Sequence, residues 1–350
     1  MRRQTRQVHV GPVPVGGDAP ISVQSMTKTD TRDVDATTAQ IDRLAAAGCE
    51  IIRSAVIDED AAKALAAIIK RSPIPVIADI HFDHRLALIA IESGVAGLRI
   101  NPGNIGSRQK IKKVADAARD RGIPIRIGVN AGSLEKDLLA TYGGPVPEAM
   151  TASALRHVAI LEKENFYDIK ISLKSSDVLT TVAAYRLMAQ ETSYPLHVGV
   201  TEAGGLLAGA IKSALGIGTL LGEGIGDTIR VSLTRDPVEE VMAGYEILRA
   251  LDIRHRGVEI ISCPTCGRCE IDLFGLVEEV SKALAHITVP LRIAVMGCVV
   301  NGPGEAKSAA LGVAGGRGQG TLFKAGKVIK KFDEKDLLQV LVEQVEREVQ

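Results

Sequence analysis

The chain of 350 residues reads as an α/β protein: a (β/α)8 TIM barrel followed by a smaller α+β domain. Three observations predict this. Eight short strand-like runs alternate with segments of helical composition, that rhythm stops after about residue 254, and four of the five cysteines fall between Cys263 and Cys298. A single parallel barrel absorbs about 250 residues, which leaves one small domain for the remainder. The expected division is therefore residues 1–254 as the barrel and 255–350 as the second domain, with the boundary in the segment Leu251 to Gly257.

The runs, in order, are ISVQSM, EIIRSAV, PVIADIHF, GLRIN, PIRIGVN, DIKISLK, PLHVGVTE and TIRVSLT. Helical stretches such as Thr37 to Ala47 and Ala61 to Lys70 follow them, and Gly or Asn closes several, which is βαβ punctuation. A doubly wound open sheet is the fallback topology. Successive side chains of a strand point to opposite faces, so period 2 tells which residues meet the axis. In PIRIGVN the apolar set is Ile125, Ile127 and Val129, leaving Arg126, Gly128 and Asn130 inward. TIRVSLT sets Arg230, Ser232 and Thr234 against Ile229, Val231 and Leu233. DIKISLK aligns Lys170, Ser172 and Lys174, and PLHVGVTE aligns His197, Gly199 and Thr201. A barrel built only for stability fills its axis with branched apolar side chains. This one keeps a polar mouth.

Composition narrows the classes of function. At 46% hydrophobic and 24% charged the chain is that of a soluble globular protein. Lys plus Arg and Asp plus Glu both total 42, so no net charge marks a nucleic acid or a membrane surface as the main partner. An anionic ligand would have to be caught by a local cationic cluster. The start, MRRQTRQVHVGPVPV, lacks the apolar core of a secretory signal, so a cytoplasmic location is expected. No run approaches the roughly 20 apolar residues of a membrane helix, and the apolar segment after Gly204 is broken by Lys212 and Glu223.

Five cysteines, unevenly placed, are too few for a disulfide scaffold, and their clustering points to a metal. Cys263 and Cys266 form C-x2-C on a turn containing Pro264 and Gly267, and Cys298 sits in a second turn, GCVVNGPGE. Two such knuckles can close on one centre, zinc or iron-sulfur, and spacing alone does not decide between them. Cys269 extends the run, so an all-cysteine site is open, and Glu305 is the rival fourth ligand. A carboxylate on one iron is weaker than thiolate and can yield that iron to a substrate oxygen. Cys49, alone beside a strand, reads as a buried small hydrophobe.

Seven stretches resemble the bacterial 4-hydroxy-3-methylbut-2-enyl diphosphate synthase family: the first 27 residues, ADIHFD, GLRINPGNIG, RIGVNAGSLE, VGVTEAGG, SCPTCGR and MGCVVNGPGEA. The likeness runs nearly end to end and moves the metal to one 4Fe-4S cluster per chain. It implies a barrel joined to a sulfite-reductase-like cluster domain, with Cys263, Cys266, Cys298 and Glu305 as ligands. Cys269 departs from the family pattern and has no ligand role in it. The alternative is a barrel lyase or hydrolase with a structural zinc site.

The resemblance further implies 2-C-methyl-D-erythritol 2,4-cyclodiphosphate as substrate, reduced by two electrons to 4-hydroxy-3-methylbut-2-enyl diphosphate with loss of water. Arg53, Arg99, Arg126, Lys174 and Arg230, on or at the ends of five strands, could neutralise its diphosphate, since guanidinium groups pair phosphate oxygens two at a time. Asp79, His81, Asn101, Asn130, Thr201 and Ser232 are the polar companions that match the family. Glu202, beside Thr201, is the candidate for proton delivery, although strict alternation would turn it to the opposite face. His197 and Lys170 share the inward face without a family role. Reduced flavodoxin or ferredoxin is the implied electron donor, and a head-to-tail homodimer the implied assembly. The late AGGRGQG lacks the strand-turn-helix context of a dinucleotide fingerprint.

Overall fold

The computed structural model describes residues 2–298 and 309–349. The chain divides into two compact units, Met1–Arg254 and His255–Gln350. None of the described helices is long and apolar enough to cross a membrane.

In the first unit eight parallel strands form the wall: β3 (Ser22–Met26), β4 (Ile51–Ala55), β5 (Val76–Asp79), β6 (Gly97–Ile100), β7 (Ile125–Asn130), β8 (Ile169–Lys174), β9 (His197–Val198) and β10 (Thr228–Ile229). Their order is β8-β7-β6-β5-β4-β3-β10-β9, and a parallel bridge from Ile171 to Leu196 joins the two ends of that series into a ring. The ring is the expected barrel, and the open sheet is excluded. Outward apolar residues such as Ile125, Ile127, Ile169 and Ile171 are buried beneath the surrounding helices in one continuous core.

The last two strands are shorter than the runs PLHVGVTE and TIRVSLT led us to expect. Gly199 explains the break, because a Cβ there would collide with the Arg230 carbonyl oxygen. The two chains approach too closely at this point to continue a regular ladder, and the extension beyond it carries Thr201 and Ser232 as irregular backbone. Thr201 N still donates to Ser175 O at 3.2 Å.

Helices follow most strands and start on aspartate. Asp33, Asp58, Asp83, Asp177 and Asp236 each accept a backbone N–H of the first turn of α1 (Val34–Ala46), α2 (Glu59–Arg71), α3 (His84–Glu92), α8 (Val178–Glu191) and α10 (Pro237–Ala250). Such a cap satisfies a donor that has no partner in the helix and favours the positive end of its dipole. Between α3 and α8 come α4 (Pro102–Ile105), α5 (Arg108–Asp120), α6 (Lys136–Tyr142) and α7 (Pro147–Glu162), and α9 (Leu206–Gly222) lies between β9 and β10.

The strand-like start of the chain is an antiparallel hairpin, β1 (Val8–Val10) with β2 (Val13–Val15). Val8, Val10 and Val15 pack on Ile51 and Ile77, near the starts of β4 and β5, and so cap the N-terminal end of the barrel. Asp227 ties this segment down: its carboxylate accepts from Arg2 at 2.9 Å, Thr5 at 3.0 Å and Leu196 N at 2.8 Å.

The second unit is a five-stranded sheet in the order β11 (Val258–Ser262), β12 (Leu291–Met296), β13 (Leu311–Gly316), β14 (Gln319–Lys324), β15 (Lys327–Asp333). The first three strands run parallel and the last two are added by antiparallel hairpins. α11 (Leu273–Ala283) and α12 (Leu337–Val349) pack on one face through Leu273, Val280, Leu341 and Val345. The Gly-rich AGGRGQG is the β13–β14 hairpin, with Arg317 and Gly318 both at positive φ in its turn.

Replacing Asp227 by Ala strands the buried Leu196 N–H and frees the N-terminal segment. Urea unfolding should show a loss of about 3 kcal/mol.

Candidate active site

The inward side chains converge at the C-terminal end of the barrel strands on a cavity of about 180 Å³. Arg53, Asp79, His81, Arg99, Arg126, Asn130, Ser172, Lys174, Thr201, Arg230 and Ser232 line it. Of the barrel residues singled out as substrate contacts, only Asn101 is missing. Its Oδ1 accepts from Gly128 N at 2.9 Å, so Asn101 braces the wall. Ser172, inward by alternation, joins the lining.

Charge dominates the site. Asp79 accepts from Arg99 at 3.2 Å and lies 3.4 Å from Arg53 Nε. Burial alone would raise its pKa, but Arg53 and Arg99 outweigh that and hold the carboxylate below its usual range. Arg99 also donates to Gly128 O at 2.9 Å and lies 3.2 Å from His81 Nδ1. Burial, followed by the pull of Asp79 and the push of neighbouring arginines, leaves His81 below the ordinary histidine value.

Arg126 is 1% exposed and donates to Ser172 Oγ at 3.1 Å, while its Nε and Nη2 have no hydrogen-bond partner among the described residues. Burial first, and then Arg53 and Arg99, push its pKa well down. Lys174 lies 3.5 Å from His197 Nε2 and is lowered by burial, then by Arg230 and Arg126. Among the described residues, five cations thus face Asp79 and one further carboxylate, Glu240, which is 3.6 Å from Arg230.

Glu240 escaped the sequence reading because it sits on α10, outside the barrel wall. It is buried, accepts from Ser25 Oγ at 3.2 Å and Leu233 N at 3.1 Å, and pairs with Lys28 at 3.1 Å. The available signal was a carboxylate within the buried stripe Glu240, Gly244, Ile247 and Leu248. Met26 was also missed: its thioether lies 2.8 Å from Arg53 Nη2 and 3.6 Å from Arg230 Nη1, a weak acceptor that leaves most donors of both arginines uncommitted.

Two inward glycines make room for the cations. A Cβ on Gly128 would lie 2.5 Å from Arg99 Nε, and one on Gly199 would lie 2.8 Å from Lys174 Nζ. Glu202 is exposed, outside the cavity lining, with φ +52°. The strand ladder ends before it, so alternation does not set its direction.

In the second unit the ends of β11 and β12 leave neighbouring parallel strands on the same side, with Ser262 opposite Val295. Cys263 follows β11 directly and Cys298 follows β12 by one residue, so adjacent strand ends carry the CxxC turn and the third cysteine. Thr265, inside that turn, has φ +65°. A backbone N–H from Arg268 is the main influence lowering the Cys266 thiol, which suits a thiolate ligand. Among the described residues no group of three or more Cys, His, Asp or Glu is gathered to hold a metal ion, and Glu305 lies outside those residues.

Soft sulfur donors on adjacent strand ends fit an iron-sulfur group in chemistry. Cys269 and Cys263 both pack, partly buried, against the domain core; the Cys269 N–H donates to Cys266 O at 2.9 Å and its Sγ fills the space where a Gly297 Cβ would stand. A wider groove of about 640 Å³ on this unit is lined by Asp272, Glu279, Asp333 and Glu334 against Lys335 alone, the wrong sign for an anionic substrate.

A TIM barrel with buried cations at its mouth, followed by a smaller domain with cysteines at the ends of adjacent strands, marks the class of a barrel enzyme with a thiol-bearing second domain. Residues 5–245 match the GcpE TIM-barrel domain and residues 259–347 the GcpE protein C-terminal domain. The chain belongs to the GcpE family, which is an iron-sulfur family. It is 62% identical to 4-hydroxy-3-methylbut-2-en-1-yl diphosphate synthase (flavodoxin) of Geobacter sulfurreducens, over 99% of this chain and 98% of that one. It is 60% identical to the protein of the same name from Lawsonia intracellularis, over 99% and 97%. Among solved structures, 3-dehydroquinate dehydratase from Geobacillus kaustophilus aligns with TM-score 0.51 at 13% identity, covering 71% of this chain and 99% of that one. Dihydropteroate synthase from Xanthomonas albilineans aligns at 0.50 and 12%, over 71% and 99%. These two show the barrel fold alone.

Lys170, inward on β8 below the mouth, is fully buried and its pKa falls to about 7, by burial and then by Arg126. The native state therefore binds fewer protons than the unfolded chain between about pH 7 and 10, and stability rises with pH across that window. Lys170→Met should flatten that rise, as read by chemical unfolding at several pH values.

Proposed function

We propose that this chain reduces 2-C-methyl-D-erythritol 2,4-cyclodiphosphate to 4-hydroxy-3-methylbut-2-enyl diphosphate and water, the step that supplies an isoprenoid precursor. The observation that carries this reading is the excess of buried cations at the barrel mouth, an arrangement complementary to a diphosphate. The zinc-bearing lyase or hydrolase is not favoured, since full-length relatives carry the synthase name.

In this reading Arg126, Arg53 and Arg230 take the phosphate oxygens with their uncommitted donors, and Lys174 adds a point charge. Asp79 fixes the planes of Arg53 and Arg99, so little reorganisation is needed as negative charge develops on the opening ring. His81 at the rim, with Asn130, Thr201 and Ser232, orients the carbon skeleton. Glu202 is the proposed proton donor to the departing oxygen. Its place next to Thr201 and its left-handed backbone support this, because such strain persists where surrounding structure holds it and clusters at functional sites.

Cys263, Cys266 and Cys298, with Glu305, would hold a 4Fe-4S cluster, which supplies single electrons and Lewis acidity when bound. Reduced flavodoxin, which the relatives' names carry, is the proposed donor, with ferredoxin as the other candidate. We further propose a cytoplasmic, head-to-tail homodimer in which each cluster domain serves the partner's barrel. The outer face of α9 supports a partner copy: Leu207, Ile211 and Leu215 are 76%, 52% and 57% exposed, an apolar stripe at helical spacing.

Anaerobically reconstituted protein, given the cyclic diphosphate and a strong one-electron donor, should form product with about four irons per chain. Glu305→Ala should alter the cluster's spectrum and lower turnover at least tenfold, whereas stoichiometric zinc without turnover would contradict the reading.

A further inference from the structure

The loop after β6 is tethered from outside the cavity. α4 is only the four residues PGNI, too short to persist on its own hydrogen bonds, and its first N–H groups need partners from elsewhere. Asn101, at its N-cap, makes no cap bond because its side chain is committed to Gly128 N. His157 of α7 supplies the missing acceptor: Gly103 N donates to its Nδ1 at 3.1 Å. The ring is 3% exposed.

Acceptance at Nδ1 leaves the ring proton on Nε2, which lies 3.4 Å from Glu135 Oε1. Glu135 ends the loop after β7, at the N-cap of α6, and the neighbouring Arg156 grips Asp137 at 2.7 Å. One imidazole therefore joins the two loops that leave the strands carrying Arg99 and Arg126. The fit is close, for a Cβ on Gly103 would stand 2.7 Å from His157 Cε1. Burial, its largest influence, keeps His157 below the ordinary histidine value, so the ring is neutral and Nδ1 free to accept at neutral pH.

We propose that His157 is a positioning residue for the diphosphate substrate: through Gly103 and Glu135 it holds the loops after β6 and β7 in the register that presents Asn130 and the flanking Arg99 and Arg126 to the anion. This rests on the reading of the barrel mouth as the diphosphate site. His157 is not among the residues that line the cavity, so its loss should act on binding through the loops it holds.

The test compares the holoenzyme with its His157→Leu and His157→Asn variants, reading kcat, KM, iron content and the calorimetric Kd for the cyclic diphosphate. His157→Leu should raise KM and Kd about tenfold, the scale of one buried hydrogen bond, with kcat and iron content little changed. His157→Asn should recover most of the affinity, because its Oδ1 can replace Nδ1 as acceptor. Gly103→Ala should match His157→Leu in the wild-type background and be mild beside His157→Ala, which keeps the proposal open to refutation if His157→Leu folds poorly.

Equal losses in the Leu and Asn variants, or a loss confined to kcat, would overturn the proposal. Arg126→Ala separates the positioning role from the mouth reading beneath it. Weakened binding there with none in His157→Leu would sink the positioning role alone, and unchanged binding in Arg126→Ala would remove the mouth reading and this proposal with it.

Discussion

Positive charge confined at the axis of the barrel is the constraint on which the rest of the structure depends. Arg53, Arg99, Arg126, Lys174 and Arg230 share one cavity with Asp79, and among the described residues Glu240 is the other carboxylate that bears on them. Burying an unpaired charge costs several kcal/mol even after relaxation, so this grouping works against the stability of the free protein. The depressed pKa values of Arg126 and Lys174 express the same cost. A cluster arranged this way is pre-organised for an anion, because the work of bringing the cations together is done in folding and not at binding.

Much of the remaining architecture makes that grouping tolerable. The hairpin β1–β2 covers the lower end of the barrel with valines. Gly128 and Gly199 give up side chains so that Arg99 and Lys174 can enter the axis, and Gly199 also lets β9 and β10 draw together, which ends their ladder early. Glu240 reaches in from a helix to pair Arg230 and Lys28 while accepting from Leu233 N. The stability needed to carry these features comes from the outer core between strands and helices, where Ile125, Ile127, Ile169 and Leu196 are completely buried.

The barrel was legible because alternation in a strand is strict: Arg126, Gly128 and Asn130 had to share a face once Ile125, Ile127 and Val129 were buried. The same logic placed Ser172 inward. It could not reveal Glu240, since helical periodicity gives an apolar stripe but not the strand behind it; Met26 shares a face with Ser22 and Gln24 by alternation, but a methionine usually fills core space and nothing in the pattern marks its sulfur as a partner of Arg53 and Arg230. His157 was equally silent, as a histidine on a helix carries no trace of the Gly103 N–H it will accept. Nor did strand pattern foresee that PLHVGVTE and TIRVSLT would stop pairing after two residues, because that depends on how closely two chains approach. The CxxC turn and Cys298 were legible as a thiol group from sequence, and adjacent parallel strands bring their two segments to one end of a sheet. Glu305 lies outside the described residues.

On the proposed reading of the mouth, the barrel trades stability for anion affinity. The most direct test measures the melting temperature of wild type and Arg126→Met, each with and without saturating inorganic pyrophosphate. The ligand-free variant should melt a few degrees higher than wild type, because an apolar side chain of similar length replaces a poorly paired buried charge. Pyrophosphate should stabilise wild type strongly and the variant far less. A variant that melts lower without ligand yet gains as much from pyrophosphate as wild type would contradict that trade.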